Sequence, residues 1–206
     1  MTTNPSPHFS KVRRRTGVWM ILALGLSGLE LVRPELGYAE SSGLPASVQA
    51  ELMGKLAGYD RNFAARAGSK AIILLVVMPG DTDSSRAALE VKGALSRLST
   101  VGSLPHEEQV VNFSNAGALA DAVRSRKAAI VYFGPGFDKQ LPAIRGAFSS
   151  LDVLTIGSVP DYVPNGIVLG FDLVSGHPKL LINVDQAKKQ QVSIPASVLK
   201  LMKVFP

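Results

Sequence analysis

Two aspartates one residue apart, Asp81 and Asp83, follow the apolar run AIILLVVM (Ala71 to Met78) and the turn Pro79-Gly80, and Ser84 and Ser85 come next. Acidic residues at the carboxyl end of a buried strand stand where doubly wound α/β folds bind ligands. With Gly134 and Gly136, which follow a later apolar run, Asp81, Asp83 and Ser84 could line a ligand cleft. Phosphoryl transfer to an aspartate would need an acceptor at the end of the third strand, and Gly134 stands there instead. Ser84 and Ser85 lack a Gly-x-Ser-x-Gly setting, and no histidine and acid assemble around them at a recognisable spacing. Gly134-x-Gly136 is half of a dinucleotide loop, with Lys139 in the place of the third glycine and Pro135 withholding an N–H. Asp81 and Asp83 are better read as the residues that open a helix, where acceptors and negative charge are favoured.

The three histidines offer little more. His8 lies near the N-terminus, His106 follows Pro105 beside Glu107 and Glu108 in an expected loop, and His177 lies in an expected hairpin turn. His106 and Glu107 alone do not make a metal site, and no second histidine is near in sequence. The chain has no cysteine, which removes thiol catalysis, disulfide control and cysteine-ligated metals together. No catalytic constellation, metal site or cofactor loop emerges, and an enzyme is not expected.

The stretch GIVLGFDLVSGHPKLLINVDQAKKQQ (Gly166 to Gln191) gathers glycines, a histidine, aspartates and lysines, yet each has a structural role available. Ile167–Leu173 and Lys179–Asn183 read as two strands of a hairpin turning at Ser175-Gly176. Asn183 can cap a helix, with Gln186 reaching back to it and Asp185 in the first turn. Lys188, Lys189, Lys200 and Lys203 give the C-terminal helices a basic face, solvated by default and otherwise a partner surface.

The elements that must position these residues follow from apolar spacing. Leu44, Val48, Leu52, Leu56, Tyr59 and Phe63 make one helix face, with Pro45 at its start and Gly68 at its end. Ala71–Met78 is apolar on every residue, as in a strand covered on both faces. Helices near Ser84–Leu98, Asn115–Arg126 and Leu141–Ser149 then alternate with strands near Gln109–Phe113, Ala128–Phe133 and Val153–Gly157. That order predicts an α/β fold: a Rossmann-like doubly wound sheet, mostly parallel, with a C-terminal β-hairpin and flanking helices. A last helix opening at Pro195 is expected to bury Val198, Leu199, Leu201, Met202 and Phe205.

The first 39 residues read differently. The basic block KVRRR, the uncharged run Gly17 to Leu29, and Gly37-Tyr38-Ala39 follow the order of a secretory signal peptide. The apolar run is too short to span a bilayer, so no stable membrane insertion is expected after cleavage. The domain proper is then 40–206. Losing Lys11, Arg13, Arg14, Arg15 and Arg33 with Glu30 and Glu35 cuts the formal charge from +6 to +3. Nucleic-acid binding, which wants a basic stripe, loses its main support.

Taken together, YDRNFAARAG (Tyr59 to Gly68), AAIVYF, LTIG and the run from Gly166 through LLINVDQAKKQQVSIPASVLKLMKV resemble the YfiR family of periplasmic regulatory proteins, DUF4154-like, over about Ala46 to Val204. The resemblance implies a Rossmann-like α/β sandwich, exported to the periplasm and often dimeric. It also implies action by binding: repression of a membrane diguanylate cyclase through its periplasmic sensor domain, which lowers cyclic-di-GMP and biofilm formation. Such domains also sit beside sensor kinases and transport systems. The family's repressors use cysteines as a redox switch, and this chain has none. Tyr59 and Arg61, at the end of the first helix, are the expected partner or self-association residues. The alternative is a periplasmic small-ligand receptor using the cleft at Pro79 to Ser84 and Gly134 to Asp138.

Overall fold

The computed structural model describes residues 43–206, so the expected signal peptide lies outside the described residues. The elements run α1 (Ala46–Tyr59), α2 (Phe63–Ala67), β1 (Ala71–Val77), α3 (Thr82–Leu95), β2 (His106–Asn112), α4 (Ala116–Arg126), β3 (Ala128–Phe133), α5 (Leu141–Phe148), β4 (Leu154–Gly157), β5 (Leu169–Val174), β6 (His177–Asn183), α6 (Val184–Lys189), α7 (Ala196–Leu199) and β7 (Lys203–Phe205). They build one seven-stranded sheet in the order β2-β1-β3-β4-β5-β6-β7. The strands β1 to β5 pair in parallel, β5 with β6 antiparallel, and β6 with β7 in parallel. The sheet is mostly parallel and flanked by helices, as the alternation of periods predicts.

The apolar strands behave as strands covered on both faces. Every residue of β3 is buried, and Ile73 to Val76 of β1 are inaccessible to solvent. Two clusters result, one on each side of the sheet. The first joins α1, α3, α6 and α7 to residues such as Ile73, Leu75, Ile130, Tyr132 and Ile156. The second joins α4 and α5 to Leu74, Val76, Val131 and Phe133. Burial at this scale is the main stabilising contribution in a domain without disulfides.

Three expectations change. The first helix does not run to Gly68: it stops at Tyr59, because Asp60 is extended (ψ 112) and turns its carboxylate to the backbone N–H groups of Asn62 and Ser193. Its buried face is Gln49, Ala50, Met53, Leu56 and Ala57, so Tyr59 is half exposed and not core. The strand expected at Gln109 starts earlier, at His106, which is therefore a strand residue and not a loop one. The last helix is a single turn; Lys203–Phe205 leaves it to pair with Leu181–Asn183, and Leu201 is 68% exposed. Completing a β-ladder beside β6 wins over continuing a short helix.

The hairpin turns at Ser175-Gly176 as expected, but its loop is those two residues alone, and His177 belongs to β6 and not to the turn. Ser175 (φ 51) and Gly176 (φ 77) are both left-handed, the geometry of the tight two-residue turn whose twist suits flanking strands.

Candidate functional site

In the strand order β2-β1-β3, the chain leaves β1 toward one edge and returns to its other side, so the carboxyl ends of β1 and β3 flank the switch point where such folds form ligand crevices. The structure brings Asp81, Ser84, Gly134 and Gly136 together there, but engages them with one another. Asp81 is the N-cap of α3: its Oδ1 accepts from the Ser84 N–H at 2.8 Å. Ser84, inaccessible to solvent, accepts from the Met78 N–H at 2.9 Å through Oγ. Asp83 points outward and pairs with exposed Arg86 at 2.7 Å. Gly134 packs against α3, where a β-carbon would stand 3.4 Å from that of Ala87.

Gly136 fits this place for two reasons. Its φ is +92, and a β-carbon would lie 2.5 Å from Asp81 Oδ2. The next residue, Phe137, is inaccessible to solvent, edge-on to Phe113 and Phe133 at 5.4 and 5.2 Å between ring centres. The Phe137 N–H donates to the Tyr162 hydroxyl at 2.9 Å, and that hydroxyl reaches Asp138 Oδ2 at 3.5 Å. Burial pushes the Tyr162 phenol well above its ordinary range, against the bond from Phe137, and the charges of Asp138 and Asp81 push the same way. The phenol therefore stays a neutral donor. The loop after β3 thus folds inward over the strand ends, and its polar atoms serve the fold.

A second feature was not legible as a site. An open groove of about 570 Å³ lies between α1 and the segment after α3, with Gly54, Gly58 and Tyr59 on one wall and Leu98, Thr100 and Ser103 on the other. Gly54 and Gly58 are one helical turn apart, a spacing that lets another backbone come close. Gly102 does so: its N–H donates to the Gly54 carbonyl at 3.1 Å, its φ is +56, and a β-carbon there would lie 2.4 Å from the Phe63 ring. Glu51 and Lys55 stand at the rim. Tyr59, 49% exposed, borders the groove. Arg61 is exposed just beyond it, and its side chain makes no hydrogen bond among the described residues. The Gly-x-x-x-Gly spacing at Gly54 and Gly58 was the sequence signal.

His106 holds the far end of the same segment. Nδ1 faces the Glu108 carboxylate, and Nε2 faces the Leu98 carbonyl at 3.1 Å. Its acidic partner is Glu108; Glu107 pairs instead with Lys70 at 2.7 Å, which holds that exposed carboxyl below its usual range. Among the described residues no three histidines or acids gather as a metal cluster would require, and no helix is long and apolar enough to cross a membrane.

Three solved structures share the fold. A conserved domain protein of Vibrio cholerae O1 biovar El Tor superposes with a TM-score of 0.56 at 13% identity, covering 79% of this chain and 60% of that one. The ABC domain from Streptococcus pneumoniae in complex with L-Trp gives 0.54 at 16% identity, covering 79% and 62%. The ligand-free, open form of CD0873, a substrate-binding protein with adhesive properties from Clostridium difficile, gives 0.51 at 11% identity, covering 69% and 57%. The chain spans about three fifths of the length of each. At these identities the likeness establishes the fold alone. No curated protein sequence matches the chain. A family model does, over residues 46–203: DUF4154, YfiR/HmsC-like, a family of periplasmic regulators and not of catalysts. The match takes in nearly every described element, from α1 to the first residue of β7, and the chain belongs to the YfiR/HmsC-like family.

Proposed function

We propose that this protein is a non-enzymatic periplasmic regulator that binds the periplasmic sensor domain of a membrane signalling protein, with a diguanylate cyclase as first candidate and a sensor kinase as second. The observation that carries this reading is the contrast between two places. At the switch point, Asp81, Ser84, Gly136 and Tyr162 are spent on one another and on backbone groups. Beside α1, a groove rimmed by Tyr59 stays open, with Arg61 exposed next to it. Aromatic and arginine side chains of this kind anchor protein interfaces. Membership of a regulatory family points the same way. Tyr59 and Arg61 serve partner binding or self-association, and no cofactor is required.

The test is cellular. Deleting the gene in a strand-matched background should raise cyclic-di-GMP and surface attachment, and restoring the exported chain should reverse both. Cyclic-di-GMP that is indifferent to the chain would remove the cyclase as partner.

A second reading, a small-ligand receptor, draws on the fold shared with proteins described as substrate-binding or as complexed with L-Trp. It would place the ligand at Asp81, Asp83, Ser84, Gly134 and Gly136, and would require the Phe137 loop to swing out. Saturable binding of an amino acid, lost in Gly136→Val, would favour it.

A further inference from the structure

The sheet has two edges, and they are defended differently. At β2 the exposed edge is covered by its own charged and amide side chains: Lys70 pairs with Glu107, and Arg126 bridges to Gln109 at 3.1 Å. At β7 nothing comparable lies across the strand among the described residues. Of the seven large apolar side chains most exposed among the described residues, four belong to this end of the sheet: Leu173, Val174, Leu201 and Val204. They stand among cations. Lys179 donates to the Leu201 carbonyl at 3.3 Å, Lys203 lies 5.0 Å from the centre of the Phe205 ring, and Lys200 is exposed. None of the three lysines joins an ion pair among the described residues. Asp172, opposite Lys179 across the hairpin, is spent on the Leu173 N–H.

An edge strand offers a row of unpaired N–H and C=O groups, a template for one more strand. A strand that alternates apolar and acidic residues would suit this edge on both counts, meeting Val204 and Leu201 with one face and Lys200 and Lys203 with its charges. A second copy of β7 would instead bring no acidic residue to meet Lys200 and Lys203, since residues 200–205 contain none. A lipid surface would use the charge and the apolar groups but not the open backbone. We infer that β7 and the hairpin beside it form a docking edge that accepts an extended, acidic-apolar segment of a partner protein by strand addition. This inference rests on the reading that the protein acts by binding a protein partner, and it assigns a surface distinct from the groove at Tyr59.

The test uses the full exported chain and a short fluorescent peptide alternating glutamate and valine, followed by anisotropy at low salt. Saturable binding is expected, weakened at least about tenfold in Lys200→Glu/Lys203→Glu and absent for the peptide alternating lysine and valine. The glutamate peptide N-methylated along one edge should also lose binding, a control that leaves the protein unaltered. Equal binding of both charges, or undiminished binding of the N-methylated peptide, would overturn strand addition. So would binding only to phosphatidylglycerol vesicles. A sensor domain that binds wild type and the double variant alike would put its docking surface elsewhere and leave the regulatory reading intact. Failure of every sensor domain, with the peptide still bound, would sink that reading and spare the edge.

Discussion

Asp60 and Arg66 form an ion pair away from solvent: Arg66 Nη1 lies 2.6 Å from Asp60 Oδ2, with 3% and 0% of the side chains exposed. The pair is embedded in further bonds. Asp60 accepts from the Asn62 and Ser193 N–H groups, and Arg66 reaches Asp152 at 2.5 Å and the Gln191 carbonyl. It therefore ties the end of α1 to the segment between α6 and α7 and to the entry of β4. Replacing Asp60 leaves Arg66 with half-exposed Asp152 as its carboxylate partner and orphans the Asn62 and Ser193 N–H groups, at about 3 kcal/mol. Asp60→Ala should lower the urea midpoint accordingly, and a loss under about 1 kcal/mol would show that water or a neighbour relieves Arg66.

Asn183 holds two elements at once. Its Oδ1 caps α6 by accepting from the Gln186 N–H at 2.8 Å, and its Nδ2 donates to the Val163 carbonyl at 3.0 Å. The cap contributes about 1 kcal/mol, and an orphaned buried carbonyl adds about 1–3 kcal/mol. Asn183→Ala should thus cost about 2–4 kcal/mol in denaturant unfolding without selective loss of partner binding. Full stability with lost regulation would make Asn183 a functional residue.

Gly136 reports on the switch point. Gly136→Ala forces a left-handed backbone and a clash with Asp81, and should destabilise by about 1–3 kcal/mol. In the double variant with Asp81→Ala part of that cost should disappear, because the clashing carboxylate is gone. Independent, additive losses would mean that Asp81 moves aside freely.

Alkaline pH should unfold the protein through its buried phenols. Tyr132, inaccessible to solvent and bonded to Gln49 at 2.9 Å, has its ionisation pushed up by burial, as does Tyr162. A pKa raised in the folded state gives stability that is whole below the ordinary tyrosine value of 10.0 and is lost as pH climbs above it. Absorbance of tyrosinate and loss of near-ultraviolet dichroism should therefore rise together above that value. Ionisation of both phenols with the fold intact would contradict their burial.

The sequence carried the centre of the sheet because β1 and β3 are apolar on every residue: AAIVYF has no reading other than a buried element, and Gly134-Pro135-Gly136 ends it. That Asp81 or Asp83 opens a helix was legible from their place before Ser84, and the structure makes Asp81 the cap. What misled was the C-terminus, where Val198, Leu199, Leu201, Met202 and Phe205 keep helical spacing while Lys203–Phe205 pairs with β6. Spacing records which residues are apolar, and not which ladder stands open nearby. The groove was hidden for another reason. Its walls come from α1 and from Leu98 to Ser103, brought together by Gly102 on Gly54; the Gly54 and Gly58 spacing says that another backbone can come close, and not which one. The tie from Asp60 to Arg66 and Ser193 was likewise invisible, since Arg61 is the nearer cation in sequence and points away.

Whether the protein acts by docking on a sensor is measured most directly by calorimetric titration of the exported chain into the purified periplasmic domain of a membrane diguanylate cyclase from the same organism. Saturable, stoichiometric binding is expected, unchanged by reductant because the chain has no thiol, and weakened at least about tenfold by Tyr59→Ala or Arg61→Glu with the fold intact. No heat of binding to any sensor domain, together with tight binding of a free amino acid, would contradict it.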